Sequence, residues 1–167
     1  MKILIEEYNP EWPTLFQKEK SQLEKVLSDI KFEIEHIGST SIEGLGAKPV
    51  IDIMIGVYDF SIINNQIEKI TNLGYQYINA YEDVMPYRRF FIKEKEKVRT
   101  HHIHMVEINT EFWLRHLAFR DYLINHPIEK LEYYNLKKEL SRREWKDGNE
   151  YAAAKTDFIQ MIMRKII

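Results

Sequence analysis

Two neighbouring segments of this chain carry residues that could bind a phosphate and a metal ion side by side. Gly38 and Ser39 follow an apolar segment, where glycine permits a tight turn and serine offers a hydroxyl and a backbone N–H to an anion. Asp52 lies in the next apolar run, residues 50–57, where a carboxylate is costly unless it is paired or binds a cation. We therefore predict a metal ion at Asp52 beside a phosphate at the turn. An ion pair with a buried arginine is the alternative.

The residues after the Gly-Ser pair extend the predicted phosphate site. Thr40 and Ser41, like Ser39, are favoured at helix N-caps, so a helix beginning here would direct its first N–H groups at an anion. Lys48 adds a positive charge, but it is followed by Pro49 instead of serine or threonine, which excludes a Walker-type phosphate loop. An ordinary strand-to-helix turn is the alternative interpretation of this segment.

A second cluster is rich in histidine, because three of the six histidines of the chain lie within residues 101–104. In a strand alternate side chains share a face, so His102 and His104 are expected to point the same way. Two neutral imidazoles can share a metal ion, and they can also act as donors to a phosphate. A hydrogen-bonded polar sheet face is the alternative.

Arginines flank the histidine cluster on both sides. Residues 93–97 form a charged tip between two strand-like segments, which predicts a hairpin that brings Arg88 or Arg89 near Arg99 and the histidines. Arginine binds phosphate or carboxylate through its planar guanidinium. The convergence of Arg88, Arg99 and Lys48 therefore predicts an anionic, phosphorylated ligand.

Hydrophobic periodicity predicts the elements that must position these residues. Ile3 and Ile5 alternate as in an edge strand, and the helix from Pro127 is expected to bury Leu131, Tyr134 and the stem of Lys138. The expected fold is α/β (α+β), with a mixed β-sheet flanked by helices and a C-terminal helical layer. The predicted strands are 32–36, 50–57, 75–77, 87–92 and 98–108, and the predicted helices are 10–30, 60–73, 110–123, one from 127 and one after Gly148.

Size and composition restrict the class of protein. A length of 167 residues with 44% hydrophobic and 30% charged residues predicts one globular domain over residues 1–167. The net charge of −2 gives no reason to expect nucleic acid as a partner, and the absence of cysteine excludes disulfides and thiolate chemistry. No run resembles a signal peptide or a membrane span, so we expect a cytoplasmic protein that does not bind membranes.

Two further motifs are interpreted as structural. Tyr151 and Lys155 have the Tyr-x-x-x-Lys spacing of short-chain dehydrogenases, but no glycine-rich dinucleotide fingerprint precedes them. They are therefore expected to be a pair on a helix surface. Arg120 and Asp121 are expected to form a structural ion pair.

With these motifs in place, the chain resembles the GrpB family, which is assigned to the nucleotidyltransferase superfamily. The resemblance implies a nucleotidyltransferase-like fold, and a link to coenzyme A metabolism because related domains occur fused to dephospho-CoA kinase. The segments that carry the resemblance are Tyr8–Trp12, Glu35–Ser41, Lys48–Ile53, Arg99–His104, Phe112–Arg115, Phe119–Leu123 and Tyr151 with Ala154 and Lys155.

The superfamily pattern is Gly-Ser, then two acids separated by one residue on a strand, then a third acid on a later strand. Gly38, Ser39 and Asp52 match this pattern, whereas Met54 occupies the place of the second acid. Glu107 is only a loose match to the third acid, because strand alternation directs it away from His102 and His104.

The resemblance implies metal-dependent nucleotidyl transfer to an acceptor, with Mg²⁺ or Mn²⁺ at Asp52 and assistance from His102 and His104. Met54 favours an alternative, since two-metal transfer needs several carboxylates. In that alternative the chain is a catalytically degenerate module that binds a nucleotide or another phosphorylated metabolite. A third interpretation is a structural or regulatory domain in which Asp52 belongs to a buried ion pair.

Overall fold

A mixed five-stranded sheet forms the centre of the computed structural model, which describes residues 1–166. The strand order is β1-β2-β5-β4-β3, in which β2 and β5 are parallel and the other neighbours are antiparallel. β2 is therefore an interior strand, as its apolar run predicts. The strands are β1 (Phe32–Ile37), β2 (Ile51–Val57), β3 (Gln76–Ile78), β4 (Arg88–Lys95) and β5 (Val98–Glu107).

Six α-helices flank this sheet within residues 1–166, which confirms the predicted α+β class and the C-terminal helical layer. None of them combines the length and the apolar character that crossing a bilayer requires. The helices are α1 (Trp12–Val26), α2 (Ile67–Thr71), α3 (Glu111–Asn125), α4 (Pro127–Ser141), α5 (Gly148–Ala153) and α6 (Thr156–Ile166).

The two faces of the sheet are covered differently, and this difference creates room for a site. α1 and α2 pack on the face that carries Ile53 and Ile103, where the largest apolar cluster lies. On the opposite face α3 places Phe112 and Trp113 over Met54 and Val106. Because α3 covers only this part of the second face, the part that carries Asp52 is left for the C-terminal helices to enclose.

The turn after β1 is shorter than predicted. Ser39–Ser41 form a three-residue 3₁₀ turn instead of the start of an α-helix. Similarly, residues 60–73 form a 3₁₀ segment (Phe60–Gln66) followed by the short helix α2, and Gly74 follows with a φ of +98°. Ile3 and Ile5 lie outside any strand, and the only pairing near them in the described chain is a single bridge between Glu6 and Ala47.

The buried face of α4 differs from the predicted one. Tyr133, Lys137 and Leu140 are buried, whereas Leu131 is 57% exposed and Lys138 is also exposed. The prediction was wrong for Leu131 and Lys138, because packing turns the neighbouring face of the helix inward, and sequence patterns assign the lysine on that face, Lys137, to solvent. Tyr134 is partly buried and packs against the apolar cluster of Tyr133, as predicted. The single helix predicted after Gly148 is divided into α5 and α6.

Candidate functional site

A cavity of about 390 Å³ opens between the Asp52 face of the sheet and the C-terminal helices α4 and α5. β2, β4, β5 and the turn after β1 supply one wall, and the two helices supply the other. The structure brings to this cavity all of the predicted site residues except Gly38 and Ser41. Those lining it are Ser39, Thr40, Lys48, Asp52, Arg88, Arg99, His102 and His104.

Asp52 and two histidines form the polar centre of the cavity. In the parallel pairing of β2 with β5, Asp52 lies opposite His102, and the next residue on the same face of β2, Met54, lies opposite His104. The side chains of Asp52, His102 and His104 therefore point to the same face of the sheet. Oδ1 of Asp52 is 3.2 Å from Nδ1 of His102 and 3.5 Å from Nε2 of His104. One ligand atom from each residue lies within 4.8 Å of the others.

Within residues 1–166, the side chains that contact the Asp52 carboxylate in this way are the two imidazoles, and no arginine forms a salt bridge with it. The carboxylate lies deep in the fold, yet 27% of its side-chain surface remains accessible from the cavity. The alternative of a buried arginine–aspartate pair is therefore not what the structure shows.

Gly38 supports Asp52 from the neighbouring strand end. Its φ is +73°, and a Cβ atom on it would lie 2.6 Å from Oδ2 of Asp52. This distance is far shorter than van der Waals contact, so the carboxylate occupies the space that any other residue would fill. Gly38 thus gives the carboxylate the room that it occupies, without itself lining the cavity.

The hydroxyls that follow Gly38 have different surroundings. Thr40 donates to the carbonyl of Val50 at 3.1 Å and lies 3.0 Å from Nε2 of His36, which fastens the turn to the sheet. Ser41 donates to the carbonyl of Gly38 and lies outside the cavity, so the structure does not place it where a phosphate ligand would bind. Ser39 is the serine of this turn that lines the cavity.

The protonation states in this centre follow from its contacts. Burial opposes ionisation of Asp52, but hydrogen bonds from His102 and His104 outweigh it and hold the pKa of the carboxyl below its usual range. Burial lowers the pKa of His104, and Arg88 adds to this effect. Nη1 of Arg88 lies 3.1 Å from Nδ1 of His104 and donates to it, so the neutral imidazole carries its proton on Nε2, facing Asp52.

The donor set of this centre suits a divalent transition metal. One carboxylate and two imidazoles are ligands for ions such as Fe²⁺, Zn²⁺ or Mn²⁺, whereas Mg²⁺ prefers a set of oxygens that a single carboxylate does not supply. Nδ1 of His102 faces Asp52, whereas Nε2 of the same ring is buried without a hydrogen-bond partner in the described chain. Of the two predicted ions, Mn²⁺ therefore fits these residues better than Mg²⁺.

The Arg88 hydrogen bond should compete with a metal ion at His104. Nε2 can bind a metal only when the imidazole proton sits on Nδ1, where it would face the Arg88 donor. We expect Arg88→Met to bind Mn²⁺ about tenfold more tightly than the unsubstituted protein in calorimetric titrations. Arg99→Met is the control, because it removes the same charge from the cavity without contacting His104. Equal affinities of the two variants would contradict the competition.

Basic side chains dominate the cavity wall. Among the described residues that line it, Asp52 is the single acid, and five are basic: Lys48, Arg88, Arg99, Lys137 and Lys155. Burial lowers the pKa of Lys48, and the neighbouring charge of Arg99 contributes to this shift. Such a cavity favours an anionic ligand with more than one negative charge.

Sequence reasoning missed part of this wall. Tyr151 and Lys155 are not a surface pair, because Tyr151 is 4% exposed and both residues line the cavity. Both residues belong to the segments in which the sequence resembles the GrpB family, and this was the sequence signal that could have indicated a role in the site. Lys137 carried no signal, since a lysine in a helix of mixed charge is assigned to solvent. Arg120 does form the predicted structural pair, with Asp121 at 2.9 Å, and it also contacts Glu35 at 2.8 Å.

The second and third acids of the superfamily pattern have no counterpart among the described residues of the cavity. Met54 is fully buried beneath Phe112 and Trp113, so the place of a second acid is filled by apolar packing and lies outside the cavity. Glu107 is exposed at the end of β5. The strand next to Asp52 presents imidazoles to the cavity where a third acid is expected.

Comparison with known proteins identifies clear relatives over nearly the whole chain. The sequence model of the family described as "GrpB protein" matches residues 2–165. The glutamate-rich protein GrpB of Alkalihalophilus pseudofirmus is 33% identical over 98% of this chain and 95% of its own length. The UPF0157 protein YqkA of Bacillus subtilis is 38% identical over 95% of this chain, which spans only 46% of that protein.

Solved structures agree with this relationship. The crystal structure of the conserved protein GrpB from Enterococcus faecalis aligns with a TM-score of 0.87 and 35% identity, covering 98% of this chain and 96% of that one.

Two structures at lower identity share the fold. The GLD-2/RNP-8 complex aligns with a TM-score of 0.61 and 12% identity over 94% of this chain and 51% of that one. The structure of Cid1 in complex with the UTP analog UMPNPP aligns with a TM-score of 0.55 and 15% identity, covering 84% of this chain and 43% of that one. These similarities confirm the predicted nucleotidyltransferase-like fold class.

Proposed function

This chain belongs to the GrpB family, and from that premise we propose that its cavity binds a nucleotide or related phosphorylated small molecule together with a divalent metal ion. The observation that carries the proposal is the charge of the wall, in which five basic side chains surround one ionised carboxylate. Burial and neighbouring positive charges lower the pKa of Lys48, Lys137 and Lys155, and a polyanionic ligand would favour their charged forms.

The size and the polar groups of the cavity suit such a ligand. Its volume of about 390 Å³ falls within the range of small-molecule sites. Arg99 is exposed at the cavity mouth, whereas Arg88 is buried beside His104. Arg88, Arg99 and Lys48 are assigned to the phosphate oxygens, and the Ser39 hydroxyl is assigned to the same group.

Asp52, His102 and His104 are assigned to the metal ion. When bound, the ion would polarise a phosphate oxygen as a Lewis acid. Asp52 contributes the negative charge of the centre, and the two imidazoles contribute nitrogen donors. Gly38 makes room for the Asp52 carboxylate, because a Cβ atom at this position would lie 2.6 Å from Oδ2.

Nucleotidyl transfer is the second candidate function. It is favoured by the placement of Asp52 directly beside the Gly38–Ser39 turn in a nucleotidyltransferase-like fold. In such a transfer an acceptor hydroxyl would attack the α-phosphate and pyrophosphate would leave. The apolar packing of Met54 leaves a single carboxylate among the described residues of the cavity, so binding without turnover is the better supported of the two.

Ligand titration tests the proposal. We expect ATP, GTP, CTP, UTP or coenzyme A to raise the thermal midpoint at millimolar concentration, and more with Mn²⁺ than with Mg²⁺. A ligand at 100 times its Kd stabilises a protein by about 2.7 kcal/mol, which such an experiment resolves easily. Lys48→Gln should weaken the shift, whereas Lys95→Gln, at an exposed position of β4, should preserve it.

Two further outcomes decide between the candidates. Release of pyrophosphate from a bound triphosphate, detected together with a modified acceptor, would establish transfer. Absence of any midpoint shift with every member of the panel would overturn the binding proposal and favour a structural role.

A further inference from the structure

Three buried side-chain polar atoms lack a hydrogen-bond partner within residues 1–166, and all three belong to residues that line the cavity. They are Nε2 of His102, Nζ of Lys137 and Oη of Tyr151. Buried polar atoms without partners are rare and costly, because they have lost hydrogen bonds to water without replacement. Because all three residues line the same cavity, a ligand bound there is the candidate for the missing partner.

His102 belongs to the metal centre, but the other two atoms lie on the helical wall. Lys137 comes from α4 and is 2% exposed, and Tyr151 comes from α5. Nζ of Lys137 lies 4.9 Å from the centre of the Tyr133 ring, and no carboxylate within the described chain pairs with it. This lysine therefore contributes a buried amine whose natural partner would be an anion.

Lys155 is a second, partly buried lysine that lines the same cavity as Lys137. Burial lowers the pKa of Lys155 to about 8. The charge of Lys48 adds to this effect, and the charge of Asp52 opposes it. Burial also lowers the pKa of Lys137 to about 6, with Lys155 as the charge that acts on it. Nζ of Lys155 lies 4.6 Å from the centre of the Tyr151 ring, and Lys155, Tyr151 and Lys137 all line the cavity on the side of the C-terminal helices, not on the strand that carries Asp52.

We propose that Lys137, Lys155 and Tyr151 form a second anion subsite, which binds the outer phosphate of a polyphosphate chain whose inner phosphate lies at the Asp52 end. This inference rests on the proposed function, and it specifies the ligand as a di- or triphosphate instead of a monophosphate. Basic groups on both walls of the cavity match a chain of phosphates, whereas a single phosphate could contact only one of the two walls.

The test uses inorganic tripolyphosphate and orthophosphate in EDTA, so that the metal centre does not contribute. We expect calorimetry to show that the unsubstituted protein prefers tripolyphosphate by about tenfold or more. Lys137→Met, which keeps an unbranched side chain of similar length and removes the amine, should reduce this preference to about twofold or less. Lys138→Met is the matched control, because Lys138 is the exposed neighbour on the same helix and should leave the preference unchanged.

Stability gives a second, independent readout. Lys137→Met should raise the thermal midpoint of the free protein, because it removes a buried amine that has no partner in the described chain. If Lys137→Met stabilises the free protein and weakens the binding of tripolyphosphate, the lysine serves ligand binding. A lysine with a structural role would instead lower the stability of the protein when it is substituted. Tyr151→Phe removes the second unpartnered atom with little change in shape, and it should also reduce the tripolyphosphate preference.

The failures of the two proposals are distinguishable. If the unsubstituted protein prefers tripolyphosphate and both Lys137→Met and Tyr151→Phe retain that preference, the subsite is wrong while the proposed function stands. If the unsubstituted protein binds neither the phosphates in EDTA nor any nucleotide with Mn²⁺, the proposed function itself fails.

Discussion

Asp52→Asn is expected to lower the affinity for Mn²⁺ by at least about 100-fold while changing the stability of the metal-free protein by less than about 1 kcal/mol. Asp52 is the single carboxylate of the centre, and an amide oxygen is a much weaker ligand than a carboxylate. The asparagine keeps the volume of the side chain, and its oxygen can still accept the proton that Nε2 of His104 donates.

Stability should change little because two effects oppose each other. Removing the charge relieves the burial of Asp52, but it also leaves the surrounding lysines and arginines without their nearby negative charge. Since the contacts of Asp52 are imidazoles, the substitution breaks no direct salt bridge between this carboxylate and a lysine or arginine of the described chain.

The measurement combines a Mn²⁺ titration by calorimetry with melting curves in EDTA and in Mn²⁺. Glu107→Gln is the control, because it removes an exposed acid from the strand that carries the histidines. A loss of about 3–5 kcal/mol with an unchanged response to Mn²⁺ would instead assign Asp52 a purely structural role.

Gly38→Ala is expected to destabilise the protein by about 2–5 kcal/mol and to weaken Mn²⁺ binding as well. The backbone at Gly38 has a φ of +73° and a ψ of −177°, a region that is almost restricted to glycine. In addition, the new Cβ would lie 2.6 Å from Oδ2 of Asp52, so either the turn or the carboxylate must move.

Gly44→Ala is the matched control for this effect. Gly44 also has a positive φ, +82°, but the atom nearest to a methyl group at this position would be the flexible end of Lys130, at 3.1 Å. We expect this variant to lose about 1–2 kcal/mol from backbone strain alone and to keep its Mn²⁺ affinity. Chemical denaturation and Mn²⁺ calorimetry on both variants separate the two contributions. Equal metal affinities would show that Gly38 does not position Asp52.

The polar centre on the sheet was largely predictable, because strand geometry is periodic and local. Alternation along β5 places His102 and His104 on one face whatever surrounds them. The charged tip between β4 and β5 predicts their antiparallel pairing, and the structure has a tight turn there with positive φ at Glu96 and Lys97. Placing Asp52 beside these histidines required one further step, the parallel pairing of β2 with β5, which no local pattern specifies.

The helical wall was not predictable in the same way. A helix can bury any of its faces, and long-range packing selects one of them. In α4 the selected face carries Tyr133, Lys137 and Leu140, because Tyr133 packs against Phe119 and Phe158 from α3 and α6. The burial of a lysine on that face reverses what hydrophobic periodicity indicates.

By itself, the sequence determined the family, the central strand with its aspartate, and the shared face of the two histidines, because these depend on motifs and on the two-residue period of a strand. The tertiary structure alone decided that Met54 lies beneath α3 and that Tyr151 and Lys155 enter the cavity. It also decided that Lys137 faces that cavity without a partner among the described residues. These features depend on how the C-terminal helices fold back over the sheet, and that arrangement is set by the packing of residues far apart in the chain.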